Sequence, residues 1–297
     1  MGCALLEHCK LFRSSIRECE EALRSIPEPP SWSLSEELLA NSTKSRVSEA
    51  QFSQPLCTAI QIGLVDLLRA CGITFSTVVG HSSGEIGAAY AAGLLTRRDA
   101  MGISYYRGYV AHLARGAARE PGSMMAAAMS FDAVSKLCSE PQFKGHITVA
   151  ASNSPSSVTL SGDRDALAMM KEHLAEINVQ ARSLQVDVAY HSHHMLACAD
   201  AYLSHLKKLN VRIRTPPTGQ ECQWYSSVRA NTNLLDRPFD SGLESQYWLD
   251  NMVQPVLFSQ AVSLAVQVAP SKFTFAMEIG PHPVSYTHLT LPTTPYV

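Results

Sequence analysis

The stretch that most restricts how this chain can fold is Phe75-Ser-Thr-Val-Val-Gly-His-Ser-Ser-Gly-Glu85. Phe75 to Val79 is a short β-rich run suited to a buried parallel strand, and from Glu85 onward Ala, Tyr and Leu recur at helical spacing. Between them, Gly80-His81-Ser82-Ser83-Gly84 has the G-x-S-x-G pattern of a nucleophile elbow, where a strand turns sharply into a helix with serine on the bend. Glycine on either side relieves Cβ clashes. Ser82 Oγ would then stand above the sheet at a helix N-terminus, where unpaired N–H groups favour developing negative charge. The competing reading is a chance Gly/Ser turn between a strand and a helix. Taken alone, the pentapeptide leaves open whether an acyl group goes to water or to another acceptor.

A chain of 297 residues that is 46% hydrophobic can bury roughly 75% of its unfolded surface without metal or disulfide staples. One domain with a substantial insertion, or two domains, is expected. The formal charge of −2 shows no basic excess, which argues against nucleic acid as a partner. Eight scattered cysteines with no C-x-x-C pair read as reduced thiols of a cytoplasmic protein. No apolar run approaches the ~20 residues that span a bilayer, so no membrane partner is expected. The opening Met1-Gly2-Cys3 places Leu6 where N-myristoylation wants Ser or Thr, and no secretory pattern follows.

Leu5, Cys9, Phe12, Ile16, Cys19 and Leu23 alternate at four and three, which predicts an amphipathic helix over residues 3 to 25. Leu56, Ile60, Leu64 and Leu67 predict a second, with Pro55 in its first turn. Helices follow over Glu85 to Leu94 and Asp99 to Ala114. Beyond Pro121-Gly122 the pattern changes: strands at Met124 to Met129, Ile147 to Ala151, Val158 to Ser161 and Val179 to Val188 are interleaved with helices at Asp132 to Cys138 and Asp163 to Ile177. Asp163 is placed to cap the latter. This βαββαβ order is ferredoxin-like. Met195 to Leu206 predicts a helix and Val211 to Arg214 a strand. A looped region then runs to Ser245, followed by a helix around Ser259 to Val268. Phe273, Phe275, Met277 and Ile279 alternate as a strand.

A serine nucleophile needs a base, and eleven histidines are available. His8, His112, His146, His173 and His205 read as solvated. The cluster Tyr190-His191-Ser192-His193-His194-Met195 sits where the chain would return to the main sheet. It admits a catalytic base, a metal site or a plain loop. Zinc would need further ligands, and no Asp, Glu or Cys lies within the segment, so no metal is assigned.

Several ordered motifs carry a resemblance: Gln54-Pro-Leu56, Gly80-His-Ser-Ser-Gly-Glu85, Tyr105-Tyr-Arg107, Gly122-Ser-Met124, Asn153-Ser-Pro155, Ala189-Tyr-His-Ser-His-His-Met195, Asn251-Met-Val-Gln-Pro255 and Glu278-Ile-Gly-Pro281. From its first residues to about Pro283 the chain resembles the acyltransferase domain of a type I polyketide synthase, most nearly the iterative, highly reducing fungal kind. It is similar, more distantly, to bacterial malonyl-CoA:carrier-protein transacylases.

The resemblance implies an α/β fold: an α/β-hydrolase-like core with a parallel sheet, formed by residues 1–121 and 189–283, and an inserted ferredoxin-like subdomain over 122–188. It implies Ser82 as the acylated nucleophile, His191 as its base, the Ser83 amide in the oxyanion hole and a backbone carbonyl near Leu257 that orients the base. Arg107 would grip the free carboxylate of a malonyl group, and Gln54, Met124, Tyr190 and His81 would border the substrate. A bulky Tyr190 before His191 would disfavour an α-methyl branch. The expected substrate is malonyl-CoA, a coenzyme A thioester. The expected acceptor is the phosphopantetheine thiol of an acyl carrier protein, with no resident cofactor, a ketosynthase upstream and a dehydratase downstream. A serine hydrolase of the α/β-hydrolase class and an inactive structural or docking fragment are the alternatives. The family's first strand and its Gly-Gln-Gly-x-Gln loop, source of one oxyanion donor, would precede Met1-Gly2. Val284 to Val297 leaves the pattern and reads as a cloning remnant.

Overall fold

The computed structural model describes residues 2–41, 43–116, 120–184, 186, 188–216, 221–236, 242–269 and 273–281. The stretch from 284 to 297 lies outside them. The first predicted helix is two, α1 (Cys3–His8) and α2 (Lys10–Arg24), because Cys9 is extended at φ −113°, ψ 108°. Arg13 closes the break by donating to the carbonyls of Leu6 and Glu7, both at 2.8 Å. The short helix α3 (Leu34–Leu39) follows, capped by Ser33 Oγ accepting from the Glu36 amide. It lies in a polar stretch where the apolar pattern is too brief to mark it.

Helix α4 (Ala50–Ala70) begins earlier than expected, with Pro55 inside it rather than in its first turn. Pro55 is the sixth residue, past the first amides that lack an intrahelical acceptor, so it costs the ladder one bond, that to the Gln51 carbonyl. Strand β1 (Thr77–Val79) leads through the elbow into α5 (Gly84–Ala91) and α6 (Arg97–Tyr109). Helices α4 and α6 pack closely: a Cβ on Gly108 would stand 2.3 Å from the Ala50 carbonyl oxygen. The main core joins α2, α4, α5, α6 and later helices around Phe12, Ile62, Ile86, Met101, Tyr202 and Trp248, all fully buried.

From Gly122 the chain runs β2 (Gly122–Ala127), α7 (Phe131–Cys138), β3 (Ile147–Ser154), β4 (Ser157–Asp163), α8 (Arg164–Glu176) and β5 (Ala181–Ser183). The strands form an antiparallel sheet in the order β3-β4-β2-β5. It has its own core, built from Met125, Val134, Val149, Leu160, Leu167, Met170 and Leu174. The fourth strand pairs Ala181–Ser183 with Ala127–Met125 of β2, extended by the Ala128 amide donating to the Gln180 carbonyl and the Leu184 amide to the Met124 carbonyl; residues 185 and 187 of the predicted run lie outside the described residues.

A 3₁₀ turn (His193–Cys198) precedes α9 (Ala199–Leu209), where a single α-helix was predicted from Met195. Strand β6 (Gln223–Tyr225) pairs in parallel with β1 through Val78↔Trp224, and α10 (Gln246–Val253) and α11 (Phe258–Val268) complete the body. Neither β6 nor α10 is anticipated from the Pro- and Asn-rich composition of that stretch. Val211 to Arg214 forms no strand; among the described residues, the Arg214 amide donates to the Leu94 carbonyl. Phe273 to Ile279 is not a strand either, and Phe275 is 65% exposed. Among the described residues no strand lies beside this alternating run, and without a ladder the pattern has no backbone partners to satisfy. A parallel bridge, Ala151↔Val256, ties the insert to the segment before α11.

Candidate active site

At the elbow, Ser82 has φ 52°, a left-handed value that a serine adopts only where the surroundings hold it. Gly80 is required sterically, since a Cβ there would lie 2.3 Å from the Glu85 amide nitrogen; at Gly84 the nearest foreign atom is 3.7 Å away. The amides of Gly84, Glu85 and Ile86 already donate to His81, Ser82 and Ser83 carbonyls. Ser83, one residue earlier, is the N-cap of α5.

Ser82 Oγ lies 2.7 Å from His191 Nε2, across 109 residues of sequence. His191 Nδ1 lies 2.9 Å from the Gln254 carbonyl. A carbonyl only accepts, so Nδ1 carries the proton and Nε2 presents its lone pair to the serine hydroxyl. The orienting carbonyl is thus that of Gln254, not Leu257. Leu257 is the N-cap of α11; its carbonyl accepts from the Ala261 amide, and its own amide donates to Ser227. Gln254 follows the end of α10 in an extended conformation, which leaves its carbonyl free to face the imidazole.

His191 is 4% exposed. Burial, reinforced by the nearby Arg107 cation, lowers its pKa from 6.5 to about 3, while the bond to Gln254 acts in the opposite sense. The ring is therefore neutral at pH 7, with the Nε2 lone pair facing Ser82 Oγ. Because the folded value lies below the unfolded one, the unfolded chain binds the proton first. This group's contribution to stability is complete above pH 6.5 and is lost as pH falls towards about 3. Urea midpoints across that window should fall less steeply for His191→Gln than for the parent chain; parallel curves would contradict the assignment.

Arg107, 1% exposed, enters from α6. Its Nη2 donates to Ser82 Oγ at 3.2 Å and its Nη1 to Asn251 Oδ1 at 2.9 Å. Its Nε is buried with no partner among the described residues. The guanidinium sits 5.8 Å from the centre of the Tyr190 ring, whose hydroxyl is also buried and unpartnered. Asn251 then donates to the Ser82 carbonyl at 2.9 Å, bracing the elbow from α10. Asn251 and Gln254 both belong to the Asn251-Met-Val-Gln-Pro255 motif, the one sign of them in the sequence, but nothing there assigns them these contacts.

His81 Nε2 meets Asn153 Oδ1 at 2.9 Å, and Asn153 donates onward to Thr159, so this residue joins the elbow to the insert. Met124 is half-buried on β2, on the face opposite the buried Met125. Gln54 is half-buried on α4, and its buried Oε1 has no hydrogen-bond partner among the described residues. No hydrogen bond joins Gln54 to Ser82, His191 or Arg107 among the described residues. His205, expected to be solvated, instead stacks on Tyr106 with ring centres 4.6 Å apart.

Beneath the elbow, Glu85 is fully buried. Its Oε1 accepts from the Ser227 amide and hydroxyl, at 2.8 and 2.7 Å, and its Oε2 from Tyr247 at 2.8 Å. Burial pushes its pKa up to about 7 against these donors. Glu85→Ala strands three buried donors and opens a cavity, with an expected loss of ~3–5 kcal/mol. Glu85→Gln keeps an acceptor for Ser227 and can donate to the Tyr247 oxygen, at a cost of less than ~1.5 kcal/mol. Equilibrium urea unfolding measures both, and equal losses would remove the network from the account.

Comparison with known proteins places this arrangement. Residues 1–293 match the family described as acyl transferase domain. The chain is 55% identical over 283 residues to the hybrid PKS-NRPS synthetase lepA of Aspergillus flavus, covering 95% of this chain and 7% of that protein. It is 50% identical over 283 residues to the reducing polyketide synthase BOA6 of Botryotinia fuckeliana, with 95% and 11% covered. The chain therefore spans about a tenth or less of the length of these relatives. Among solved structures, a loading acyltransferase from the avermectin modular polyketide synthase superposes with a TM-score of 0.79 at 29% identity, over 97% of this chain and 85% of that one. The match over residues 1–293 and identities of 50–55% over 95% of its length make this chain a member of the acyl transferase domain family found in polyketide synthases.

Proposed function

We propose that this chain takes a malonyl unit from malonyl-CoA onto Ser82 and passes it to the phosphopantetheine thiol of an acyl carrier protein. The observation that carries the reading is the convergence on Ser82 Oγ of a neutral imidazole at 2.7 Å and a buried guanidinium at 3.2 Å. Ser82 Oγ attacks the thioester carbonyl while its proton passes to His191 Nε2. The developing oxyanion takes hydrogen bonds from backbone amides, that of Ser83 among them. The C–S bond breaks, and coenzyme A leaves as a thiol with the proton held by His191. In the second half the pantetheine thiol gives its proton to His191 and attacks the ester, and Ser82 Oγ recovers the proton as it departs.

Arg107 supplies the selectivity. A planar guanidinium grips a carboxylate through two parallel bonds, and its unpartnered Nε and the Nη2 now on Ser82 are the donors available. Bound malonate charge would also offset the Arg107 cation that helps keep His191 from protonating. Tyr190, under the guanidinium, leaves little room for an α-methyl branch, so malonyl is preferred to methylmalonyl by the ~1–3 kcal/mol a methyl group commands. The two bodies correspond to an α/β-hydrolase-like core, 1–121 with 189–283, and a ferredoxin-like insert, 122–188; the strand order β3-β4-β2-β5 supports the latter. A ketosynthase before this region and a dehydratase after it complete the proposed setting.

The test is incubation with radiolabelled malonyl-CoA and a phosphopantetheinylated carrier protein. Label should pass through the chain to the carrier faster than it appears as free malonate. Turnover to free acid with no label on the carrier would instead identify a hydrolase.

A further inference from the structure

Asp163 occupies the N-cap of α8, yet its side chain makes no capping bond. It faces imidazoles instead. Oδ1 meets His194 Nε2 at 2.6 Å and His193 Nε2 at 3.0 Å, and Oδ2 meets His146 Nδ1 at 2.7 Å. One ligand atom from each of Asp163, His193 and His194 lies within 4.8 Å of the other two. The Asp163 and His194 side chains are 11% and 1% exposed, while that of His193 is 26% exposed and opens one side to solvent. Sequence alone sets this acid apart from the histidines by 30 and 31 positions; β4 brings them together.

Securing a loop to a helix needs one donor on one acceptor. Here adjacent histidines direct the same ring nitrogen at the same carboxylate oxygen. Imidazole nitrogen and carboxylate oxygen bind Zn²⁺ at ~2.0–2.2 Å, which puts neighbouring ligand atoms ~3–3.5 Å apart in a tetrahedral site. The 3.0 Å contact already has that spacing, and the 2.6 Å contact needs an opening of about half an ångström. The second Asp163 oxygen is held by His146, the outer hydrogen bond that orients a ligating carboxylate. His193 Nδ1 is buried with no hydrogen-bond partner among the described residues.

We propose that Asp163, His193 and His194 form a binding site for a divalent transition-metal cation of the zinc class, with His146 as the positioning residue and a fourth, solvent-facing position beside His193. The cation would tie the start of α8 to the residues that follow His191. That loop already contacts the insert through Thr148 Oγ1 donating to the His191 carbonyl at 3.1 Å.

The experiment uses the untagged chain, stripped with chelator and titrated with Co²⁺ and then Zn²⁺. One Co²⁺ per chain should bind with the visible absorption of four- or five-coordinate cobalt in a nitrogen and oxygen field, and Zn²⁺ should bleach it. Zn²⁺ at ~100 times its Kd should raise Tm by roughly 5 °C or more. His193→Ala, at a partly exposed position, and Asp163→Asn, which keeps an acceptor for the loop, should each lose affinity at least ~10-fold; His146→Ala should lose ~10-fold by releasing the carboxylate. Absence of cobalt absorption in the parent chain, undiminished uptake by His193→Ala, or intense thiolate bands placing the ion on cysteines would each overturn the site and leave a hydrogen-bonded tie.

Discussion

Ser82→Ala is expected to abolish covalent loading from malonyl-CoA: intact mass after a short incubation should show a malonyl adduct on the parent chain and none on the variant. Removing the nucleophile of a Ser-His pair leaves no atom to form the ester, so the fall in carrier loading should exceed ~10³-fold, as it does for comparable serine enzymes. Ser82 is only half-buried and its side chain is small, so the variant should unfold at nearly the parent's urea midpoint. That separation matters, because the elbow backbone is held by Gly80, Glu85 and Asn251 rather than by the hydroxyl. An adduct on the alanine variant would place the acyl group on another residue.

Arg107→Ala should reverse the preference for a carboxylated acyl group. Two charge-assisted bonds of ~1.5–3 kcal/mol each correspond to a loss of about 10²–10⁴-fold in kcat/KM for malonyl-CoA. Acetyl-CoA, with no carboxylate, provides the control. The substitution also deprives Asn251 Oδ1 of its donor and leaves space in a buried site, so some loss common to both substrates is expected. The diagnostic quantity is therefore the ratio of the two kcat/KM values. Arg107→Lys keeps the charge without the planar fork and should fall between the two. Equal losses for malonyl and acetyl would reduce Arg107 to a brace for Asn251 and the elbow.

The parts of the fold legible in the sequence are those whose periodicity is local. The run Leu167, Met170, Leu174 announces α8, and the alternating pattern of the insert announces its strands, because each buries one face against its own small core. Strand β6 is invisible for the opposite reason. Its three residues acquire a strand identity only by pairing with β1, and Trp224 is buried by packing near Tyr247 and Trp248. Phe273 to Ile279 errs in the other direction: alternation without an adjacent ladder does not make a strand.

The site divides along the same line. Gly80 to Glu85 specifies a bend with serine on it, because the geometry of that turn is encoded in contiguous residues whose steric demands are met within the turn itself. The Tyr190 to Met195 segment stands out by its three histidines, but composition alone admits a base, a metal site or a loop. What no stretch of sequence contains is the partner of each group. That Gln254 rather than Leu257 orients His191 follows from which carbonyl α11 consumes, and that Asn251 braces Arg107 and Ser82 follows from where α10 ends. Asp163 reads as a helix cap until β4 carries it to the histidines. Residue chemistry is set by the chain, but hydrogen bonds between residues 30 to 169 positions apart depend on distances of a few ångströms that only the packed elements determine.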